Sequence, residues 1–287
     1  IKMNSFCIKT NNIKIINYLL KKLENVEIDG IYYSANKFKI YNNIIIHNKG
    51  DNISDFENLI CNIFIQTIIE FYENRLIKEI INFNYFYFEE YEKNKIFENC
   101  IDILETIGRE ENDKKEKLIY DEILKYIKEK KSMILDGFVR FRLKEYVKYI
   151  DNIVDEGVNK YIIDKEYTEF INLLKVYIES KKSEIDLIHL IYINGESILL
   201  DKNKNFISIT ENIFNAKYLS DISFSSNDFA LNTLLTLLPE KIEIHLIEKE
   251  DEFINTLKSI FEGRIQICND CNICRTYKML NATTLMK

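Results

Sequence analysis

IDLIHLIYINGESILLD, residues 185–201, is where the grammar of this chain changes. Two apolar runs flank Asn194-Gly195, the pair that most readily adopts the positive φ values of a tight turn, so the stretch predicts an antiparallel hairpin. Beyond it, strand and helix patterns alternate. FISI (206–209) reads as a further strand and SDISFSSND (220–228) as a polar connector. FALNTLLTLL (229–238) reads as a short helix stopped by Pro239, and KIEIHLI (241–247) as a strand. DEFINTLKSIFE (251–262) predicts a helix capped by Gly263, and RIQI (264–267) a last strand. Residues 183–287 are therefore expected to form a mixed α/β domain with a βαβ end, at least one parallel strand pair and a Cys-rich tail.

Upstream of the hairpin the spacing is helical. From Leu135 to Lys182 it runs through Val139, Leu143, Val147, Ile150, Val154, Val158, Tyr161, Leu173, Leu174 and Ile178, read as two helices broken near Ile163-Asp164. Phe56 to Ile81 reads as one long buried helix. Residues 95–107 and 115–131 are helical, separated by GREENDKKE (108–116) as a charged, solvated loop, and NYFYFEEYEKN (84–94) fits no single pattern. Ser54 or Asp55 is the expected cap of the first long helix. At the front, SFCIKT (5–10), NIKIINYLLKKLE (12–24) and IYYSANKFKIYNNIIIHN (31–48) give the order βαββ. The expected architecture is thus α+β, with an N-terminal α/β unit (1–52), a central helical bundle (53–182) and the C-terminal α/β domain (183–287).

Of the 287 residues 46% are hydrophobic and 30% charged, enough for a substantial core. Lys+Arg 39 against Asp+Glu 46 leaves a net charge of −7, which excludes general attraction to polyanions or anionic membranes and makes nucleic acid an unexpected partner. No run approaches the roughly 20 apolar residues of a membrane helix. The expected compartment is the cytoplasm, where thiols stay reduced, so the six cysteines are read as thiols or ligands.

Half of those cysteines fall in ICNDCNIC (267–274), as Cys268, Cys271 and Cys274. Past the carboxyl end of a strand, thiolates at this spacing can turn toward one ion, zinc or an iron–sulfur cluster, although each ordinarily takes four ligands. The fourth is sought in His245, His189, Asp270, Cys7, or the same cluster of a second chain in a homo-oligomer. His245 is taken as the candidate fourth metal ligand, yet if Ile247 and Ile267 end neighbouring parallel strands it falls about three residues, roughly 10 Å, short of Cys268, too far without a bend. Two alternatives stand beside the metal: a redox pair Cys271–Cys274, for which no periodic helix is seen to follow, and three ordinary buried thiols.

Other candidates are weaker. Arg140, Arg142, Lys144 and Lys148 oppose only Glu145 in GFVRFRLKEYVK (137–148). Arg140, Lys144 and Lys148 at i, i+4 and i+8 would form a ridge able to hold an anion or an acidic partner, unless Asp151, Asp155 and Glu156 neutralise it. His189 and His245 interrupt apolar strands and read as satisfied core histidines; adjacency on one sheet face would instead point to a metal or proton-shuttling role. In SFSSND (223–228), Asn227 or Asp228 reads as a helix cap. There is no GxSxG, no glycine-rich phosphate loop and no HExxH.

DGFVRFRLKEYV (136–147), IIDKEYTEFINLLKVYIESKKSEIDLIHLIYINGESILLD (162–201), YLSDISFSSNDF (218–229) and FEGRIQICNDCNIC (261–274) together resemble the YtxC-like sporulation proteins of endospore-forming Firmicutes. The resemblance implies a cytoplasmic, sporulation-associated protein and carries no active-site residue onto this chain. The leading expectation is a non-enzymatic protein whose helical middle meets a protein partner and whose tail binds an ion. The alternatives are an enzyme with an open metal or thiol redox centre, and an interaction or nucleic-acid-binding protein that uses the basic stretch around 140–148.

Overall fold

The computed structural model describes residues 4–26, 28–37, 41–50, 52–183, 185–207, 225–268 and 270–284. The fold is α+β, and the chain divides into two compact units, residues 1–164 and 165–287, with the boundary inside one long helix.

In the first unit β1 (Asn4–Thr10), α1 (Ile13–Glu24), β2 (Ile31–Lys37) and β3 (Asn42–Asn48) form the expected βαββ order. A short strand, β4 (Ser132–Ile134), pairs parallel with β1 and completes a sheet of order β2-β3-β1-β4. Three residues are too few to leave a periodic signal. The long buried helix is α2 (Ile53–Ile68), a π-helical turn (Ile69–Glu73) and α3 (Asn74–Asn84). Asn52, and neither Ser54 nor Asp55, caps α2 by accepting from the Asp55 amide. The wider turn coincides with a polar group inside the core. Glu73 is buried there, 3.2 Å from Lys115 Nζ, and accepts a 2.7 Å hydrogen bond from the Tyr146 hydroxyl.

α4 (Glu90–Thr106) and α5 (Arg109–Glu129) follow, and here the sequence reading of GREENDKKE is corrected, since Arg109 onward is helical. The charges support the helix they were taken to interrupt. Glu110 and Glu111 sit in its first turn, where the dipole favours anions, and both pair with Lys114. α6 (Leu135–Arg142) ends at Leu143, and α7 (Lys144–Ser180) then runs unbroken through Ile163-Asp164, against the expected break. Neither residue removes a backbone hydrogen bond, and an exposed Asp costs an interior turn only a fraction of a kcal/mol, about 0.7 at most.

In the second unit β5 (Leu187–Ile193) and β6 (Glu196–Leu200) are the predicted hairpin, with φ of 53° at Asn194 and 76° at Gly195. After α8 (Ser226–Leu237), β7 (Lys241–Leu246) pairs parallel with β5. After α9 (Glu252–Ile260), β8 (Ile265–Ile267) pairs parallel with β7, giving the order β6-β5-β7-β8. Ser225, rather than Asn227 or Asp228, is the cap of α8, with Asp228 closing a capping box. Of FISI, Phe206 makes one antiparallel bridge to Leu200, while Ser208, Ile209 and most of the connector lie outside the described residues. A last helix, α10 (Asn272–Thr284), follows the cysteines.

Strand alternation gives this sheet two different faces. Ile188, Leu190, Tyr192, Ile242 and Ile244 enter a core with Ala230, Leu234, Ile254, Leu257 and Phe261. The intervening positions put His189, Ile191, Glu243 and His245 on the other face.

Candidate metal centre

Register decides which histidine meets the cysteines. Ile242 lies opposite Ile265 and Ile244 opposite Ile267, and the Cys268 amide donates to the Ile244 carbonyl at 2.9 Å. β8 therefore ends beside the middle of β7, not beside Ile247. The expected 10 Å gap is corrected: His245 is the next residue on the neighbouring strand. The three-residue error came from assuming that both strands end level.

Past β8 the chain turns into α10, whose first hydrogen bond runs from the Arg275 amide to the Cys271 carbonyl at 3.0 Å. Cys271 thus stands just before the helix and Cys274 in its first turn, three residues on and facing the same way. His245 Nδ1 lies 3.4 Å from Cys271 Sγ and 3.4 Å from Cys274 Sγ. Cys274 Sγ is 3.9 Å from Cys271 Sγ and 3.7 Å from Cys268 Sγ. All four donor atoms lie within 4.8 Å of one another. His245 and Cys274 are each 1% exposed, whereas Cys268 and Cys271 are half-buried.

These separations can be compared with what an ion demands. Sulfurs at 2.3 Å from a tetrahedral zinc are about 3.8 Å apart, and a sulfur and an imidazole nitrogen about 3.5 Å. The observed distances match both values. A four-iron cluster would place the four ligands on separate irons and a two-iron cluster would divide them between two, in both cases spreading them further than a single ion does.

The electrostatics of the four groups differ. Burial, then hydrogen bonding to Cys271 and Cys274, pushes the Cys268 thiol up to about 12. At Cys271 burial acts upward but is outweighed by the backbone N–H groups of Cys274 and Ile273 and by the neighbouring thiols, leaving it below its ordinary value. Burial lowers the pKa of His245, partly opposed by the Glu243 carboxylate, so the neutral, ligating imidazole is favoured.

On its far side His245 Nε2 lies 3.0 Å from His189 Nδ1, which is 3.3 Å from Glu243 Oε2. The two histidines are thus adjacent on one sheet face. Glu243 escaped notice in the sequence, although Glu243-Ile-His245 on a strand places both side chains on the same face. Asp270 is turned away, paired with Arg275 and Lys278, and Cys7 belongs to β1 of the other unit. The helix α10, which starts at Asn272 directly after Cys271 and contains Cys274, corrects the view that no helix accompanies the pair.

The basic stretch is divided by the end of α6 at Leu143, so Arg140 and Arg142 belong to one helix and Lys144 and Lys148 to the next. A single continuous ridge is not formed. All four are exposed, and among the described residues none makes an ion pair; Asp151 and Asp155 are engaged by Asn84 and Tyr85. Phe138 is buried and Phe141 exposed.

The model of the YtxC-like family matches residues 58–266. The uncharacterised protein YtxC of Bacillus subtilis (strain 168) is 21% identical over 151 residues, 52% of this chain and 53% of that protein. The matched portion thus spans about half the length of that curated relative. No solved structure matches. The family match contains His189, Glu243 and His245 and stops two residues before Cys268. No helix among the described residues is long and apolar enough to cross a membrane.

Proposed function

The chain belongs to the YtxC-like family, and within it we propose a non-enzymatic, sporulation-associated cytoplasmic protein that binds one zinc ion through Cys268, Cys271, Cys274 and His245. The observation that carries this reading is the pair of 3.4 Å contacts from one imidazole nitrogen to two thiols, with a third thiol 3.7 Å behind. Three soft thiolates and one imidazole suit zinc, and four protein ligands close the coordination sphere. A closed sphere leaves no position for substrate water, which favours a structural ion over the open catalytic centre.

Its work is to fasten α10 to the sheet. Among residues 271–280 only Cys274 is buried, with Cys271, Ile273 and Tyr277 half-buried. Over residues 271–280 the apolar burial is slight, and coordination would supply the hold. Replacing Cys271 with Ser should release the metal and loosen the tail; equal zinc content in the two purified proteins would reject the reading.

A second reading is favoured by the start of α10 directly after Cys271: a thiol–disulfide pair Cys271–Cys274 at a helix N-terminus. It predicts that protein purified without zinc has two thiols that an added disulfide oxidises to a Cys271–Cys274 disulfide and a dithiol reduces back. In either case the helical segment 53–182 is proposed to meet the protein partner, with Arg140, Arg142, Lys144 and Lys148 as its anion-binding or acidic-partner contacts.

A further inference from the structure

We propose that His189 is the positioning residue that fixes His245 as an Nδ1 ligand, by accepting the hydrogen that the other nitrogen of His245 must carry once Nδ1 holds an ion. The inference rests on the metal reading above and concerns how that site is kept in one geometry.

A neutral imidazole has one hydrogen and one free lone pair. Nδ1 of His245 faces two sulfurs, so with zinc bound there the hydrogen sits on Nε2. That nitrogen is inside the protein, His245 being 1% exposed, and an unmet donor in such a place loses its water without gaining a partner. His189 Nδ1, at 3.0 Å, is at hydrogen-bond distance and belongs to a side chain that is itself only 8% exposed. Accepting there leaves the hydrogen of His189 on its own Nε2, so one bond sets the tautomer of both rings.

The backbone holds the partners in place. His189 pairs with Glu243 and Ile191 with His245 in the parallel ladder between β5 and β7, which puts His189 diagonally across from His245 on the same face. The two rings are tilted by 33° with centroids 5.2 Å apart, a side-by-side arrangement that presents nitrogen to nitrogen. Glu243 Oε2 lies 3.3 Å from the same His189 nitrogen, whose lone pair repels it once that nitrogen accepts from His245; the Glu243 side chain, 26% exposed, is able to turn toward water. Metal-bound histidines ordinarily carry an outer partner on the free nitrogen, and its loss typically weakens metal binding about 10–100-fold.

The test is zinc affinity, by competition with a chromogenic chelator, together with the visible spectrum of the cobalt(II)-loaded protein. Wild type is compared with H189L, H189Q and H189N. Asn places its carbonyl oxygen where Nδ1 of His stands, whereas Gln places it where Nε2 stands. We expect H189L and H189Q to bind one equivalent about 10–100-fold more weakly. Their thiolate-to-cobalt charge transfer should persist and their ligand-field bands shift, and H189N should stay close to wild type in both readouts. Far-UV circular dichroism of the metal-free variants shows whether H189L folds; H189Q carries the comparison where it does not. Wild-type affinity and spectrum in both H189L and H189Q would overturn the proposal while leaving the metal site standing. So would a second equivalent taken up by wild type and lost in H189L and E243Q, which would place another cation among His189, Glu243 and His245. Equal metal content in wild type and C271S would instead overturn the metal reading itself.

Discussion

Stripping the ion should release α10 while the sheet beneath it stays folded. The helix has 13 residues, near the length at which an isolated helix is marginal even with favourable composition. Of residues 271–280 only Cys274 is buried, and that side chain is one of the four proposed ligands. At a free zinc concentration about a thousand times Kd, the ion stabilises the closed form by about 4 kcal/mol. Each 1.4 kcal/mol is tenfold in an opening equilibrium, so amide protection across 272–284 should fall by about a thousandfold on chelation, toward that of a fraying terminus. Hydrogen–deuterium exchange read by mass spectrometry resolves this directly. Peptides covering β5 and β7 serve as internal controls and should change little. Equal protection of 272–284 in zinc-loaded and chelated protein, with metal loss verified, would refute the idea that coordination holds this helix.

Other outcomes follow from the packing. G157A should destabilise the first unit by about 1–3 kcal/mol, because a Cβ there would sit 2.5 Å from Cys100 Sγ and 3.3 Å from the Ile96 carbonyl; the urea midpoint measures it. K115M leaves Glu73 buried beside Tyr146 without its cation and should cost about 3–5 kcal/mol, much of it regained when Glu73 is also made apolar. D251A removes the cap that accepts from the Ile254 amide at 3.2 Å and should cost about 1 kcal/mol. A hydrogen bond from Tyr192 holds the Asp251 carboxyl below its ordinary range. Its contribution is therefore present above the unfolded pKa and lost as pH falls through the depressed folded value, so the acid limb of a stability profile should flatten in D251A.

The parts of the fold that the sequence announced were those governed by local chemistry. Asn194-Gly195 specified its hairpin because the required backbone angles suit few other pairs, and Gly263, at φ 81°, likewise marked the turn after α9. Long-range pairing left no comparable trace. β4 is three residues long and finds β1 across more than a hundred residues. The charged run 108–116 misled because solvation and helix support use the same residues. At the site, the three cysteines were evident from spacing alone. The approach of His245 was not, since it depends on strand register, and register follows from how soon the chain leaves α9 through Gly263 to start β8 opposite Ile242. His189 and Glu243 required both the register and the period of two on each strand.

Zinc K-edge absorption on protein purified without added metal addresses the coordination sphere itself, together with elemental analysis of the same sample. One equivalent of zinc with three sulfur scatterers at about 2.3 Å and one imidazole nitrogen at about 2.0–2.1 Å is the predicted result. Absence of metal in protein whose thiols remain reduced, or an ion surrounded by oxygen and nitrogen alone, would contradict it.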